Sequence, residues 1–511
     1  MMMIRRLAAL LSAVSLVLAG VAGGTSAAAS SPAPLNCSAL TAARVPQGTV
    51  TSAMVADGYC EVHGVLRPAI HFTVKLPVDG WTGQYVQQGC SGLCGAVPDL
   101  TYPLFGFTCP AALAKTLVVA ADDSGHTGDA AGAQPATWGA DPRARLEWGL
   151  TSEHRLRYAS DALMRTYYGH GPAYRYFDGC STGGRQALNL AQRYPADFDG
   201  ILAGAPANNE APLVLLQAWL AVRNTDTRGG QILTPDKIVP LHDAVVRACG
   251  DVIADPRQCG FQPSSLRCAA GTDKPDCLTP AQVSAVVAFY RGPDGLYNGG
   301  MPYGSELGWI GQFVVRSGSP LDGNSGKIAY DYLKYLAYPT VLPDSFRLTD
   351  VRFNKATFDQ LNVVGDALYN ANDPDLSAFR AHGGKLIVYH GWADPFIPPF
   401  STVDYYRAVQ ERGGADAYTR LYMIPAAYHC LFGPEAGPTP AEVAVPEFLQ
   451  PLMDWVQNGV APGVISVPTY NGDLTAVIRE LDVAPFDALA PVNAAPGSLN
   501  ADYHYVGGMG H

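Results

Sequence analysis

Charged side chains are scarce in this chain of 511 residues: they make up 15%, with 34 basic against 45 acidic and a formal net charge of −11. This deficit of positive charge, together with the absence of any long basic run, argues against nucleic acid or another polyanion as partner. The chain has no CxxC pair with a second CxxC or a His-x-His partner, which excludes the common structural zinc sites. Internal repeats are missing, and no low-complexity tract follows the N-terminal leader. Beyond that leader no apolar run is long enough to span a bilayer, so no membrane partner is expected. Hydrophobic residues are not scarce: at 48% they describe a core-forming chain. Its length suits one large domain with a substantial insertion, or two domains.

Residues 1–29 read as a signal peptide. Arg5 and Arg6 supply the positive end, Leu7 to Val21 the apolar stretch, and Ala27-Ala28-Ala29 a small-residue cleavage site. A secreted protein is therefore expected. The 11 cysteines agree with export, because disulfides persist outside the reducing cytosol. Their odd number leaves at least one thiol unpaired within the chain.

Alternating polar and apolar residues from Val62 to Val86 predict strands joined by a turn at Pro77-Val78-Asp79-Gly80. Leu117-Val118-Val119-Ala120, Tyr174 to Phe177, Ile201 to Gly204, Lys385 to Tyr389 and Leu421 to Ile424 read as short strands, several of them apolar throughout as buried parallel strands are. Between them, Ser152 to Tyr167, Gln186 to Arg193, Thr402 to Arg412 and Pro446 to Asn458 carry helical spacing. This alternation predicts an α/β fold with a mostly parallel sheet covered on both faces. Residues 206–349 break the pattern: Cys249, Cys259, Cys268 and Cys277 crowd among Pro, Gly and Asp, with helical pieces such as Pro280 to Tyr290. They are read as an inserted lid domain, with 30–205 and 350–511 forming the main body. Proximity suggests Cys249–Cys259 and Cys268–Cys277, one of three possible connectivities.

The sharpest motif is Gly179-Cys180-Ser181-Thr182-Gly183, a G-x-S-x-G pentapeptide between a predicted strand and a predicted helix. Its glycines allow a sharp turn that lifts a serine clear of the sheet, and the helix start aims unpaired N–H groups at developing negative charge. A serine hydroxyl needs a base. In α/β-hydrolase folds the partners follow in the order Ser, Asp or Glu, His, on loops after strands. Asp394 and His429 meet that order, each just past a predicted strand. Their bland alternatives are a turn residue before Pro395 and a capped loop histidine. His390 reads as structural, His126 and His154 fall on the wrong side of Ser181, and His511 is terminal. Cys180 precedes the candidate nucleophile and Cys430 follows the candidate base. If Ser181 and His429 are hydrogen-bonded, the two sulfurs fall within bridging distance. Two buried free thiols are the alternative.

These residues together resemble the tannase and feruloyl esterase family, which includes a mono(2-hydroxyethyl) terephthalate hydrolase. The resemblance rests on Gly179 to Gln186, His390 to Pro395 and His429-Cys430, supported by Gln192 to Gly200 and Asp373 to Leu376. It implies an α/β-hydrolase fold, a Ser181-His429-Asp394 triad spanned by a Cys180–Cys430 bridge, and serine esterase activity on feruloyl, galloyl or terephthaloyl esters. It also implies an oxyanion hole from the N–H groups of Thr182 and Gly92, with Ser91 lining the substrate pocket. No cofactor is implied for the chemistry. Family members carry an Asp-rich calcium loop; here Asp251 and Asp255 are too few for calcium, and this site is expected to be absent. Cys90, Cys94 and Cys109 are read as one pair plus one free thiol. Acyl transfer through the same triad and a non-catalytic ligand-binding role are the alternatives. The oligomeric state stays open.

Overall fold

Strand burial separates two parts of one sheet. Strand β2 (Tyr59–Leu66) alternates buried and half-buried residues, whereas β5 (Val118–Asp122) and β7 (Gly200–Gly204) are buried at every position. Alternation belongs to antiparallel strands with one wet face; unbroken apolar runs belong to parallel strands covered on both sides. The computed structural model describes residues 36–100, 109–128, 135–431, 433, 443–471 and 475–501. The leader and His511 lie outside the described residues, which all belong to the compact unit starting at Pro34.

Among the described residues the main sheet has nine strands in the order β1-β2-β3-β5-β4-β6-β7-β8-β9. Strands β1 (Gly48–Ala56), β2 and β3 (Ile70–Pro77) form an antiparallel wing, which joins β5 antiparallel. The remaining strands run parallel: β4 (Gln84–Gln88), β6 (Tyr174–Cys180), β7, β8 (Lys385–Gly391) and β9 (Thr419–Ile424). This is an α/β-hydrolase fold. Helices Ser152–Tyr168, Thr182–Arg193 and Phe400–Glu411 contribute buried residues such as Leu156, Leu188 and Val403 to the core on one face. Helix Leu449–Asn458 packs Leu452 and Trp455 into the other, beside β11 (Ile465–Tyr470) of a small sheet with β10 (Val443–Ala444) and β12 (Val477–Val483).

Element boundaries differ from the sequence reading where the turn is tightest. The helix expected from Gln186 starts at Thr182, directly after the serine, and β6 runs on to Cys180. Glycines hide helix starts from apolar periodicity, yet here they are required by close approach. A Cβ on Gly179 would lie 2.5 Å from the Gly183 carbonyl oxygen, and one on Gly184 only 2.2 Å from that of Gly204.

Between β7 and β8 the chain makes helices Glu210–Arg223, Ile238–Cys249, Pro280–Arg291 and Asn324–Tyr335, with only isolated bridges among the described residues. Pro280 at the first position and a Thr279–Gln282 capping box set one helix start. Leu241, Phe289, Trp309 and Phe313 give this region a core of its own. Cys249 pairs with Cys259 and Cys268 with Cys277. The C-terminal segment straps it: Asn500 accepts from the Tyr303 N–H at 2.8 Å and donates to the Tyr290 and Met301 carbonyls, both at 3.0 Å.

Candidate active site

Parallel register aligns the strand ends that carry the candidate residues. Cys180 pairs with Gly204, Gly204 with Tyr389, and Gly391 with Ile424, so the loops after β6, β8 and β9 leave the sheet at one edge. Ser181 sits at φ 65°, ψ −120°, a left-handed conformation that costs a non-glycine residue on the order of 1–3 kcal/mol. Backbone bonds hold it there. Its N–H donates to the Gly204 carbonyl at 3.0 Å, and its carbonyl accepts from Arg185 and Ala207 at 3.0 and 3.1 Å.

The loops after β8 and β9 are zipped together. Trp392 N–H donates to Ile424 and Ala393 N–H to Ala427, at 2.9 and 3.0 Å. Asp394, fully buried, accepts at Oδ1 from the N–H groups of Phe396 and Ile397, at 2.8 and 2.9 Å. Its Oδ2 lies 2.6 Å from His429 Nδ1. That contact places the imidazole proton on Nδ1 and leaves Nε2 as an acceptor. Burial pushes the Asp394 carboxyl up, but His429 and His390 outweigh it and hold the group well below the ordinary carboxylate range. The Phe396 ring stacks on His429, with centroids 5.0 Å apart.

Cys180 and Cys430 are disulfide-bonded with Cα atoms 5.9 Å apart, one residue before Ser181 and one after His429. The His429 loop turns tightly, with Cys430 at φ 48° and Leu431 at φ 71°. Cys90 pairs with Cys94 across the loop after β4, Cys37 pairs with Cys60, and Cys109 is free and buried. That loop lies against the start of helix Thr182–Arg193: Thr182 Oγ1 donates to the Gly92 carbonyl at 2.5 Å, and Ser91 is exposed.

Sequence reasoning missed the polar groups behind this loop. Gln186 Oε1 accepts from the Cys90 N–H at 3.1 Å, while its Nε2 donates to the buried Glu153 carboxylate at 2.7 Å. Gln87 Nε2 donates to the other Glu153 oxygen, also at 2.7 Å. His126 meets the Leu93 carbonyl at 2.7 Å and stacks on Trp138; burial pushes it down to about 4. His154 is paired with Asp197 at 2.5 Å. His390, read as structural, contacts Asp394 Oδ2 at 3.1 Å. Only Gln186, inside the motif's helix, carried a positional hint.

A cavity of about 340 Å³ opens beside the two loops, walled by Ala393 and Tyr428, by His242 and Tyr303 from between β7 and β8, and by Arg479 of β12. Ser91, Gly92 and Ser181 are not in its lining. Asp251 and Asp255 stand in the stretch that the resemblance sets against a calcium loop. Both Asp255 oxygens receive Arg257, Oδ1 at 2.9 Å and Oδ2 at 2.8 Å, and Asp251 is exposed.

The family model for tannase and feruloyl esterase matches residues 52–500. An uncharacterized esterase of Xanthomonas campestris pv. campestris is 30% identical, covering 84% of this chain and 80% of its own. A mono(2-hydroxyethyl) terephthalate hydrolase of Piscinibacter sakaiensis is 28% identical, covering 89% and 85%. In three dimensions, an esterase from Aspergillus oryzae shares the fold at a TM-score of 0.75 and 22% identity, over 88% of this chain and 95% of that one. A nine-stranded α/β sheet with this loop arrangement, matched across nearly its whole length, belongs to the tannase and feruloyl esterase family and is a carboxylic ester hydrolase.

Proposed function

We propose that this protein hydrolyses esters of aromatic acids through Ser181, His429 and Asp394. Ser181 Oγ attacks the ester carbonyl carbon while His429 Nε2 takes its proton. The tetrahedral intermediate collapses, His429 returns the proton to the departing alcohol, and an acyl-serine remains. Water, activated by the same histidine, then releases the acid. Asp394 holds the imidazole tautomer and stabilises the imidazolium. The N–H groups of Thr182 and Gly92 stabilise the oxyanion, with Ser91 lining the pocket; the bond from Thr182 Oγ1 to the Gly92 carbonyl supports the pairing of these two residues. No metal or cofactor enters these steps.

One observation carries the reading. The 2.6 Å contact between Asp394 and His429 is tied to the serine's own strand by the Cys180–Cys430 bridge. The aromatic acyl preference rests on the family and on the terephthalate ester hydrolase among its relatives. Residues 206–349 are taken as a lid that shields the acyl-serine from bulk water, over a body formed by 30–205 and 350–511. Export through the leader 1–29 is supported by five disulfides. Among the described residues no helix is long and apolar enough to cross a membrane.

The test uses the mature chain with methyl ferulate, a gallate ester and a terephthalate monoester, scored for free acid. Ser181→Ala is expected to lower kcat by about 10⁶-fold and to abolish labelling by a fluorophosphonate probe. Turnover of these esters by Ser181→Ala at the native rate would defeat the proposal.

A further inference from the structure

Two histidines meet one oxygen of Asp394. His429 Nδ1 lies 2.6 Å from Oδ2, and His390 Nε2 lies 3.1 Å from the same atom. His390 is fully buried at the end of β8. Its other contacts place a hydrogen on Nε2. Nε2 also lies 2.9 Å from the Ile397 carbonyl oxygen, which can only accept, so Nε2 carries a hydrogen. Nδ1 lies 2.8 Å from Thr402 Oγ1, a hydroxyl free to donate to it. A neutral ring with its hydrogen on Nε2 satisfies all three partners, and that hydrogen is shared between Ile397 and Asp394.

We propose that His390 is a positioning residue for the reaction, a neutral donor that pins Asp394 Oδ2 and draws off part of its charge. This rests on the triad reading above. An Oδ2 left with His429 alone would concentrate its charge on that ring and favour the imidazolium, the form that cannot accept the serine proton. With His390 in place, Asp394 still orients His429 but binds its cation less tightly.

Other charged groups near this pair are already engaged. From helix Phe400–Glu411, Asp404 accepts from Asn298 at 2.8 Å and faces Arg407 at 3.5 Å. From the inserted segment, Tyr297 donates to Ser401 at 3.0 Å, and burial pushes its hydroxyl up. Arg257, over the Trp392 ring, is bound to Asp255. His390 and His429 are therefore the two groups that bear directly on the Asp394 charge.

Two substitutions separate donor from packing. A glutamine amide can occupy the Nε2 position of histidine, and an asparagine amide only the Nδ1 position. In His390→Asn the acid limb of kcat/KM is expected to move to higher pH by about half to one unit. Its kcat should fall about ten- to hundredfold with little change in KM. His390→Gln should return the acid limb to the wild-type position. His390→Phe, which keeps a ring but removes the donor, should move the limb in the same direction as His390→Asn, and it serves if the latter fails to fold. An acid limb unmoved in both His390→Asn and His390→Phe, or in His390→Phe when the asparagine variant is unfolded, overturns the proposal. So does an equal shift in the glutamine and asparagine variants. Failure of the triad reading is seen separately, as ester hydrolysis surviving in Ser181→Ala.

Discussion

Cys180 and Cys430, 250 residues apart in the chain, are bonded to each other at the point where the serine strand and the histidine loop meet. A bridge over so long a loop restricts the unfolded chain strongly, and it also fixes the spacing of the residues beside it. The double variant Cys180→Ala/Cys430→Ala is expected to lose about 2–4 kcal/mol of stability, measured by denaturant unfolding. Its kcat should fall more than its KM rises, because the bridge holds His429 relative to Ser181.

Asp394→Asn keeps the shape of the side chain but removes its charge. The Phe396 and Ile397 N–H groups can still bond its amide oxygen, so folding should survive. The remaining amide nitrogen then faces His429 Nδ1 and favours the wrong tautomer. A fall in kcat of about 10⁴-fold is expected, with the thermal midpoint lowered at neutral pH. Below that range the two proteins should converge. The depressed Asp394 pKa stabilises the native wild type above the unfolded carboxyl value, and this contribution is lost as pH falls toward the folded one.

Thr182→Val deletes the hydroxyl that reaches the Gly92 carbonyl at 2.5 Å and leaves the Thr182 N–H in place. One neutral hydrogen bond contributes about 0.5–1.5 kcal/mol, so kcat should drop by about two- to tenfold. Steady-state kinetics on one ester decide this. An unchanged kcat would mean the loop after β4 is held by Gln186 and the Cys90–Cys94 bridge without help from Thr182.

Glu210 offers a pH test at a group outside the candidate triad. Burial pushes its carboxyl up to about 7, although Arg185, 4.0 Å away, pulls the other way. A raised acid pKa means that the folded protein binds the proton more tightly than the unfolded chain. Wild-type stability contributed by this group therefore declines as pH rises from about 4.5 to about 7. Glu210→Gln should lack that decline. Its stability relative to wild type is expected to improve across this window by a few kcal/mol, on the order of 3. Parallel urea titrations at several pH values read the difference.

Local chemistry made much of this protein legible in one dimension. Ser181 is announced by the glycines around it, because a strand cannot turn into a helix that tightly with Cβ atoms at Gly179 and Gly184. The parallel strands declare themselves as apolar runs, since both of their faces are covered. Cys249 with Cys259, and Cys268 with Cys277, pair as their nearness in the chain suggests. Family membership followed from the same short motifs.

Other features depend on which loops the folded sheet brings together. The antiparallel wing β1–β3, the small sheet β10–β12, and the Gln87–Glu153–Gln186 bonds behind the Cys90 loop join segments whose sequences say nothing of one another. His390 shows the difference most directly. In sequence it is a histidine before a Gly-Trp turn, and its type and spacing point to no partner. Only the curl of the chain from Asp394 to Ile397, packed under Thr402, brings a carboxylate, a carbonyl and a hydroxyl around its ring. The sequence by itself determined the fold class and the candidate serine, because backbone geometry and burial act on neighbours in the chain. The tertiary structure decided which atoms Asp394 and His429 touch, because hydrogen bonds at 2.6–3.1 Å depend on register between strands, which no local pattern records.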